Sequence, residues 1–312
     1  MELNKFLKRN CTHSDIHYLI CRIIYDLWLW KNYKRFSREA IVRRRYKHSF
    51  GKDLDLQNPI TLNEKIQWLK LNEFHDYYTI CADKYAMKSL ITECFGNQYN
   101  VPVIFHTSDW REITKENITK FPCIVKANHS SHDYMIFHSE QEVDWMALRR
   151  LCRFWLHRDY FAESQELQYK DIPRQIIVEE LLQTREGKIP NDYKLHYING
   201  KLAFVYVSID REGLNVRNIY DENWKPLPCD WDSDKDEHLK KRVIEVPSPA
   251  SFEKMKQFGA EIAKQFKYVR VDYYDVDGQL YFGEITLHHG GGYNKFRPSE
   301  WDTYFGNMLS LA

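Results

Sequence analysis

Two dipeptides limit what this chain can fold into. Asn199-Gly200 and Asp277-Gly278 each separate short runs rich in β-branched and aromatic residues. Both pairs accept the positive φ that a two-residue hairpin turn demands. The flanking runs are 192–198 with 202–210, and 268–274 with 279–285. Hairpins place neighbouring strands antiparallel, whereas a doubly wound sheet needs alternating strand and helix. Further strand-like runs lie at 101–105, 122–126, 134–137, 175–180 and 216–220. Residues 1–48 read as helical, and a polar break over 51–58 leads to Pro59. Thr61-Leu-Asn-Glu64 is a capping box opening a helix over 64–71. Further helices are expected over about 79–94, closed by Gly96-Asn97, and over 141–167 and 251–266; 228–240 reads as an exposed acidic loop. The pattern predicts an α+β fold with mixed or antiparallel sheets behind an N-terminal helical segment. Neither GxGxxG nor GxxxxGK[ST] occurs, so neither standard phosphate loop is present.

The chain has 312 residues, 43% of them apolar and 29% charged, enough for a sizeable core. Lys plus Arg is 45 against 44 acids, which excludes a generally basic nucleic-acid binder. That balance hides a local excess, for residues 31–47 carry eight Lys or Arg and one acid. The run follows an apolar stretch, 16–30, with Leu19, Ile20, Ile23, Ile24, Leu27, Trp28 and Trp30 at helical spacing. The stretch is too short to span a bilayer and contains Arg22 and Asp26. The favoured reading is a core-packed helix. The sharper one rests this helix and the basic run on an anionic membrane surface. The run 31–47 reads equally as a solvated face or as a dock for an anionic glycan. Seven cysteines with no CxxC pair fit reduced thiols, and the N-terminus shows no secretory h-region. The expected place is the cytoplasm, with peripheral contact at the inner face of the membrane as an option.

The last hairpin carries the chemistry. Arg270 and Asp272 are two apart on one strand, as are Glu284 and Thr286 on the next. Each pair therefore shares a face, and a turn at Asp277-Gly278 sets the pairs opposite one another, with Tyr274 and Phe282 further along the same faces. One carboxylate from each strand is how oxygen ligands for Mg²⁺ and a polyphosphate are assembled. An exposed salt-bridging face has the same spacing. His288-His289-Gly290-Gly291-Gly292 follows at once, and consecutive glycines let backbone N–H groups approach an anion. One of the two histidines serves as a base toward an amine, or packs on Tyr293. Asp275-Val-Asp277, Asp230-Trp-Asp232 and Asp234-Lys-Asp236 match the DxD pattern of metal-dependent glycosyltransferases, although Asp277-Gly278 is better explained as a turn. His129 and His132 lack further ligands at zinc-site spacing, and no GxSxG occurs.

The motif RVDYYDVDGQLYFGEIT resembles the metal-binding hairpin of ATP-grasp ligases. The segments NPITLNEKIQWLK, ADKYAMK, FPCIVKANHSS, VEELL, DYKLHYINGK, IYDENW and GEITLHHGGG resemble the TupA-like ATP-grasp family of polysaccharide and teichuronopeptide biosynthesis, in one order over about residues 55–305. The resemblance implies two α+β lobes gripping ATP, with an N-terminal helical region over 1–80, an N-lobe over 81–178 and a C-lobe over 179–312. It implies that Lys84 and Lys126 contact phosphates. Glu179, Glu180 and Leu182 would lie at the adenine, and Asp192 at the ribose. Lys194 would reach a phosphate or the acceptor. Asp272, Glu284 and Thr286 would hold Mg²⁺, and Arg270 would stabilise the transferring group. Two departures stand out: Thr286 replaces the usual Asn, and the loop after Lys126 has no glycine, leaving Asn128, Ser130 and Ser131 as side-chain donors. His288 completes the expected catalytic set with Arg270 and Lys194.

The function expected is ATP-dependent coupling of a glycan carboxylate, such as a hexuronic acid, to a small amine through an acyl-phosphate, in capsular polysaccharide assembly. A glycosyltransferase and a non-catalytic nucleotide- or glycan-binding scaffold are the alternatives.

Overall fold

The structure, a computed structural model, describes residues 2–209, 216–232 and 245–311. Among these residues the helices are α1 (Glu2–Asn10), α2 (Asp15–Leu29), α3 (Arg38–Phe50), α4 (Leu62–Asn72), α5 (Asp76–Ala82), α6 (Ala86–Cys94), α7 (Trp145–His157), α8 (Tyr160–Ser164), α9 (Phe252–Ala263) and α10 (Glu300–Met308). The strands are β1 (Val103–Thr107), β2 (Cys123–Ala127), β3 (Tyr134–Phe137), β4 (Ile176–Glu180), β5 (Asp192–Ile198), β6 (Lys201–Ile209), β7 (Val216–Tyr220), β8 (Asp230–Asp232), β9 (Tyr268–Val276), β10 (Gln279–Thr286) and β11 (Lys295–Arg297). The chain divides into two units. One is Met1–Arg38, Asp83–Tyr85 and Val101–Leu181; the other is Glu39–Ala82, Ala86–Asn100 and Leu182–Ala312.

The first unit holds an antiparallel sheet in the order β1-β4-β2-β3. Its apolar face, with Val125, Ile176 and Val178, shares one core with Tyr18, Tyr25 and Leu29 of α2 and Phe154 and Trp155 of α7. The helix expected over 141–167 is shorter. Asp144 caps it by accepting from the Met146 and Ala147 amides, and it ends at His157. Arg158 leaves the helical conformation there and enters a buried network. Its Nη1 donates to Asp133, and its Nε and Nη2 donate to Glu163 at 3.1 and 2.6 Å. Lys8 of α1 pairs with Asp133 at 2.5 Å, and the Tyr25 hydroxyl donates to Glu163 at 2.9 Å. Burial pushes the Asp133 carboxyl up, but Arg158 and Lys8 outweigh it and hold it below the carboxylate range.

The helix expected over about 79–94 is broken at Asp83-Lys84-Tyr85. Asp83 accepts from the Tyr85 amide at 2.9 Å and from Asn128 at 2.9 Å, a side-chain alternative to helical bonding. The stretch 16–30 is a core-packed helix, but it packs through a different face from the one its aliphatic spacing marks. The residues that pack inward from α2 are Tyr18, Cys21, Tyr25 and Leu29, while Leu19, Ile20, Ile23, Ile24, Leu27 and Trp30 are exposed.

The second unit holds the antiparallel sheet β10-β9-β5-β6-β7. Both expected hairpin turns form, with φ of 47° and 77° at Asn199 and Gly200 and 53° and 92° at Asp277 and Gly278. Alternation sorts the strands cleanly. Val269, Val271 and Tyr273 of β9, Tyr193, Leu195 and Tyr197 of β5 and Val205 and Val207 of β6 share one core with α9. The other face carries Arg270, Asp272, Asp192, Lys194 and His196, and one end of it is covered by a second core that includes Phe204, Tyr206, Trp231 and Phe296. Trp231 corrects the loop expected over 228–240: β8 pairs with β11, and its Trp231 is fully buried and stacked on Phe296 at 4.5 Å. Residues 233–244, with the Asp234-Lys-Asp236 pattern, lie outside the described residues.

Two predictions follow from the first unit. Arg158→Met strands the Asp133 and Glu163 carboxylates in the core and should cost about 3–5 kcal/mol in urea unfolding; a loss below about 1 kcal/mol would show the network to be incidental. His129 is buried, and burial, then Arg174, lowers its pKa to about 3. Below about 6.5 the unfolded chain therefore binds a proton that the folded chain refuses. This contribution is complete above about pH 6.5 and is lost as pH falls toward about 3. The His129→Gln variant should flatten the slope of stability between pH 6 and 4 by about 1 kcal/mol per unit. An unchanged slope contradicts this.

Candidate active site

The register of β9 and β10 sets Glu284 against Asp272 and Thr286 against Arg270, so the two polar pairs meet as their spacing predicts. Phe282 does not join them. A bulge between Phe282 and Glu284 turns Phe282 onto the opposite face, against Tyr273 in the apolar core. Gly283 sits at the bulge, where a Cβ would lie 3.0 Å from the Tyr274 ring and 3.3 Å from the Asp272 carbonyl.

Arg270 is the centre of this face. Its Nε and Nη2 donate to the two carboxylate oxygens of Asp272 at 2.6 and 2.8 Å, and Nη2 reaches Glu284 at 3.4 Å. Its Nη1 donates to His289 Nδ1 at 2.7 Å. A guanidinium has no acceptor, so Nδ1 of His289 is unprotonated and the ring is neutral. Burial, followed by Arg270, Lys194 and Arg217, holds the His289 pKa well below its ordinary value. Lys194 of the neighbouring β5 stands opposite Asp272. It donates to Asp192 and, at 3.2 Å, to Asp272. Burial raises the Asp272 carboxyl against the pull of Arg270 and Lys194, with Asp192 and Glu284 pushing it further up. Three carboxylates and two cations thus meet on one face.

The donor set fits Mg²⁺ of the kind that relies on phosphates for its remaining ligands. Mg²⁺ is held through one or two carboxylates plus substrate phosphates and water. Asp272 and Glu284 supply two carboxylates, and among the described residues no three His, Cys, Asp or Glu side chains form a metal cluster by themselves. Thr286 adds a buried Oγ1 that has no hydrogen-bond partner among the described residues. An orphaned hydroxyl on the same face is what a ligand would satisfy.

Three features are added by the structure. His289, not His288, touches Arg270; His288 is buried beside Leu69, Glu73, Tyr78 and Tyr268. Asp232 accepts from Tyr206 at 2.6 Å and Arg217 at 2.7 Å, behind His289, whose ring lies 4.3 Å from that of Trp231. His196 continues the Asp192, Lys194 alternation and is fully buried; that period was the available signal. The glycine triplet works differently from an open anion cradle. Gly290, Gly291 and Gly292 all have positive φ. The Gly291 and Tyr293 amides are used within the turn, and Gln67 and Lys70 of α4 donate to the loop's carbonyls. The DxD aspartates are also occupied. Asp275 accepts from Ser251 and from the Gly278 amide, and Asp277 from the Arg185 amide.

The remaining expected residues lie in the first unit, apart from Leu182, which is partly buried at the start of a segment of the second. Lys126 pairs with Glu179, and Lys120 with Glu180. Lys84 donates to the Ser130 carbonyl at 2.6 Å, and the Ser130 hydroxyl donates to Asp133 at 2.6 Å. Asn128 is fully buried, donates to Asp83 and the Pro173 carbonyl, and accepts from the Gln175 amide. Its side chain therefore braces the loop after β2 from within. Ser131 is partly buried.

The orphaned hydroxyl gives a test that needs no substrate. Thr286→Val keeps the shape and removes an unsatisfied polar group, so the protein alone should gain about 1 kcal/mol in thermal or urea unfolding. A loss of stability would mean that the hydroxyl has a partner.

No curated protein matches this chain in sequence. Among solved structures, similar chains include the ATP-grasp ligase PsnB complexed with a minimal precursor, at 13% identity and TM-score 0.39 over 68% of this chain and 53% of that one. The D-alanine–D-alanine ligase of Bacillus anthracis complexed with ATP is similar at 15% identity and TM-score 0.37, over 67% and 54%. That of Helicobacter pylori is similar at 13% identity and TM-score 0.41, over 82% and 69%. This chain spans about half the length of the first two. The family model for TupA-like ATP-grasp proteins matches residues 64–310. With a match running from the capping-box glutamate of α4 to just beyond α10, the chain belongs to the TupA-like ATP-grasp family.

Proposed function

We propose that this protein is a cytoplasmic ATP-dependent carboxylate–amine ligase that forms an amide on a uronic-acid-containing surface polysaccharide, such as a capsule, or on its precursor. The observation that carries this reading is the register that sets Asp272 against Glu284 with Arg270 and Lys194 beside them. Family membership supports ATP as the co-substrate. In the proposed reaction a hexuronate carboxylate attacks the γ-phosphorus, ADP departs and an acyl-phosphate forms. A small amine then adds to the acyl carbon, phosphate leaves with the amine's proton, and an amide remains. Mg²⁺, held by Asp272 and Glu284 with Thr286 alongside, would supply neutralisation of phosphate charge.

The chain's own residues have defined tasks. Arg270, fixed on two sides by Asp272 and His289, presents a preoriented positive charge to the transferring phosphoryl group. Lys194 balances Asp192 and Asp272, and a bound anion would compete for its ammonium. His289 stays neutral and keeps Arg270 in place. Lys84, Lys126, Glu179, Glu180 and Leu182 are proposed for the nucleotide, as the family motifs assign them.

The test is release of ADP and phosphate by the purified protein. Release that requires ATP, a uronate and an amine together supports the ligase. Release of a nucleoside diphosphate from a sugar nucleotide without ATP would assign a glycosyltransferase, and ATP binding without turnover with any acceptor would assign a scaffold. Glu284→Gln should lower turnover by more than about 100-fold with the unfolding midpoint little changed, and Asp272→Asn should lower turnover as far and also lower the midpoint, because it takes a carboxylate from buried Arg270. Full turnover in both variants would refute the metal assignment.

A further inference from the structure

The exposed side of α2 is a continuous aliphatic face. At 100° per residue, Ile16, Leu19, Ile20, Ile23, Ile24 and Leu27 fall on one face, and Trp30 continues it into the following π-turn. All are exposed, Ile16 by 72%, Leu27 by 63% and Trp30 by 57%. No charged residue interrupts the stripe; Arg22 and Asp26 sit at its margin, 3.8 Å apart. The opposite face is anchored by Tyr18, Cys21, Tyr25 and Leu29, and the Tyr25 hydroxyl is held by Glu163. The stripe is therefore presented by a fixed helix.

Charge identifies what would cover it. Directly beyond the helix come Lys31, Lys34 and Arg35, all exposed, with Lys34 also 3.5 Å from Asp159. The Arg35 guanidinium lies 4.9 Å from the Trp30 ring centroid. The acids of the helix are engaged locally, Asp15 with Arg150 at 3.1 Å and Asp26 with His157 at 2.8 Å. An apolar stripe ending in tryptophan and edged by cations matches a lipid surface of negative charge. Six aliphatic side chains offer nothing to the hydroxyls and carboxylates of a glycan. The helix is about 22 Å long by its rise per residue, and among the described residues no helix is long and apolar enough to cross a membrane. The contact is thus in the plane of the surface.

We propose that α2 and the turn after it dock the protein on an anionic lipid bilayer, with the Ile16–Leu27 stripe facing the acyl chains and Lys31, Lys34 and Arg35 at the headgroups. The test is flotation of the full chain with vesicles of phosphatidylcholine containing about 30 mol% phosphatidylglycerol, against pure phosphatidylcholine. The protein should float with the anionic vesicles and at least about tenfold less with the neutral ones. Leu19→Gln/Ile23→Gln/Leu27→Gln should cut binding by more than about tenfold, with circular dichroism and unfolding midpoint unchanged because these side chains are exposed. Lys31→Glu/Arg35→Glu should remove the preference for anionic lipid. Absence of flotation by the wild type, or equal flotation by the wild type and the triple-Gln variant, would overturn the proposal. So would a dimer that the triple-Gln variant dissolves while the wild type ignores vesicles; that result would assign the face to a second copy.

Discussion

A guanidinium with almost no access to water has to be compensated where it stands, and that requirement organises the second unit. Arg270 is buried, and its charge is met by Asp272 two residues on, by Glu284 across the hairpin and by the unprotonated nitrogen of His289. Each partner arrives by a different route. Asp272 comes from the strand period, Glu284 from the hairpin register and its bulge, and His289 from the loop that Gln67 and Lys70 hold from α4. A slip of one residue in the register would turn the charges into the apolar core. The polar face and the core behind it are thus two readings of one alternation.

The first unit repeats the device around Arg158. That cation gathers Asp133 from the loop after β2, Glu163 from α8 and, through them, Lys8 from α1 and Tyr25 from α2. A chain that carries 29% charged residues uses buried ones here to lock a loop. This explains how a loop without glycine keeps its shape: Asn128, Ser130 and Asp133 hold it from inside. Removing either side of such a network leaves an uncompensated charge in the core.

Much of the site was legible because β structure writes its faces into a period of two. The Arg270–Asp272 and Glu284–Thr286 pairs needed only alternation and a turn signal, whereas Asp192 and Lys194 were picked out by the family resemblance. What failed were readings that depended on a surface's partner. The apolar residues of 16–30 have helical spacing, but spacing cannot say which side of a helix faces inward when tyrosines and a cysteine fill the other side. Residues 228–240 read as a loop because acids outnumber apolar residues there, yet Trp231 is buried and seats β8 against β11. The break at Asp83 was hidden because its cause, the bond to Asn128, lies far along the chain.

The sequence by itself determined the hairpins, the helix cap at Thr61, the antiparallel architecture and which polar residues share a face, since each of these depends on neighbours a few positions away. Only the tertiary structure decided that His289 rather than His288 meets Arg270, that a bulge removes Phe282 from the polar face, that Asn128 is a brace, and that α2 keeps its aliphatic stripe outside. Those outcomes depend on which distant groups reach a given point in space, and burial energy, unlike backbone preference, is a property of the assembled surroundings and not of the local chain.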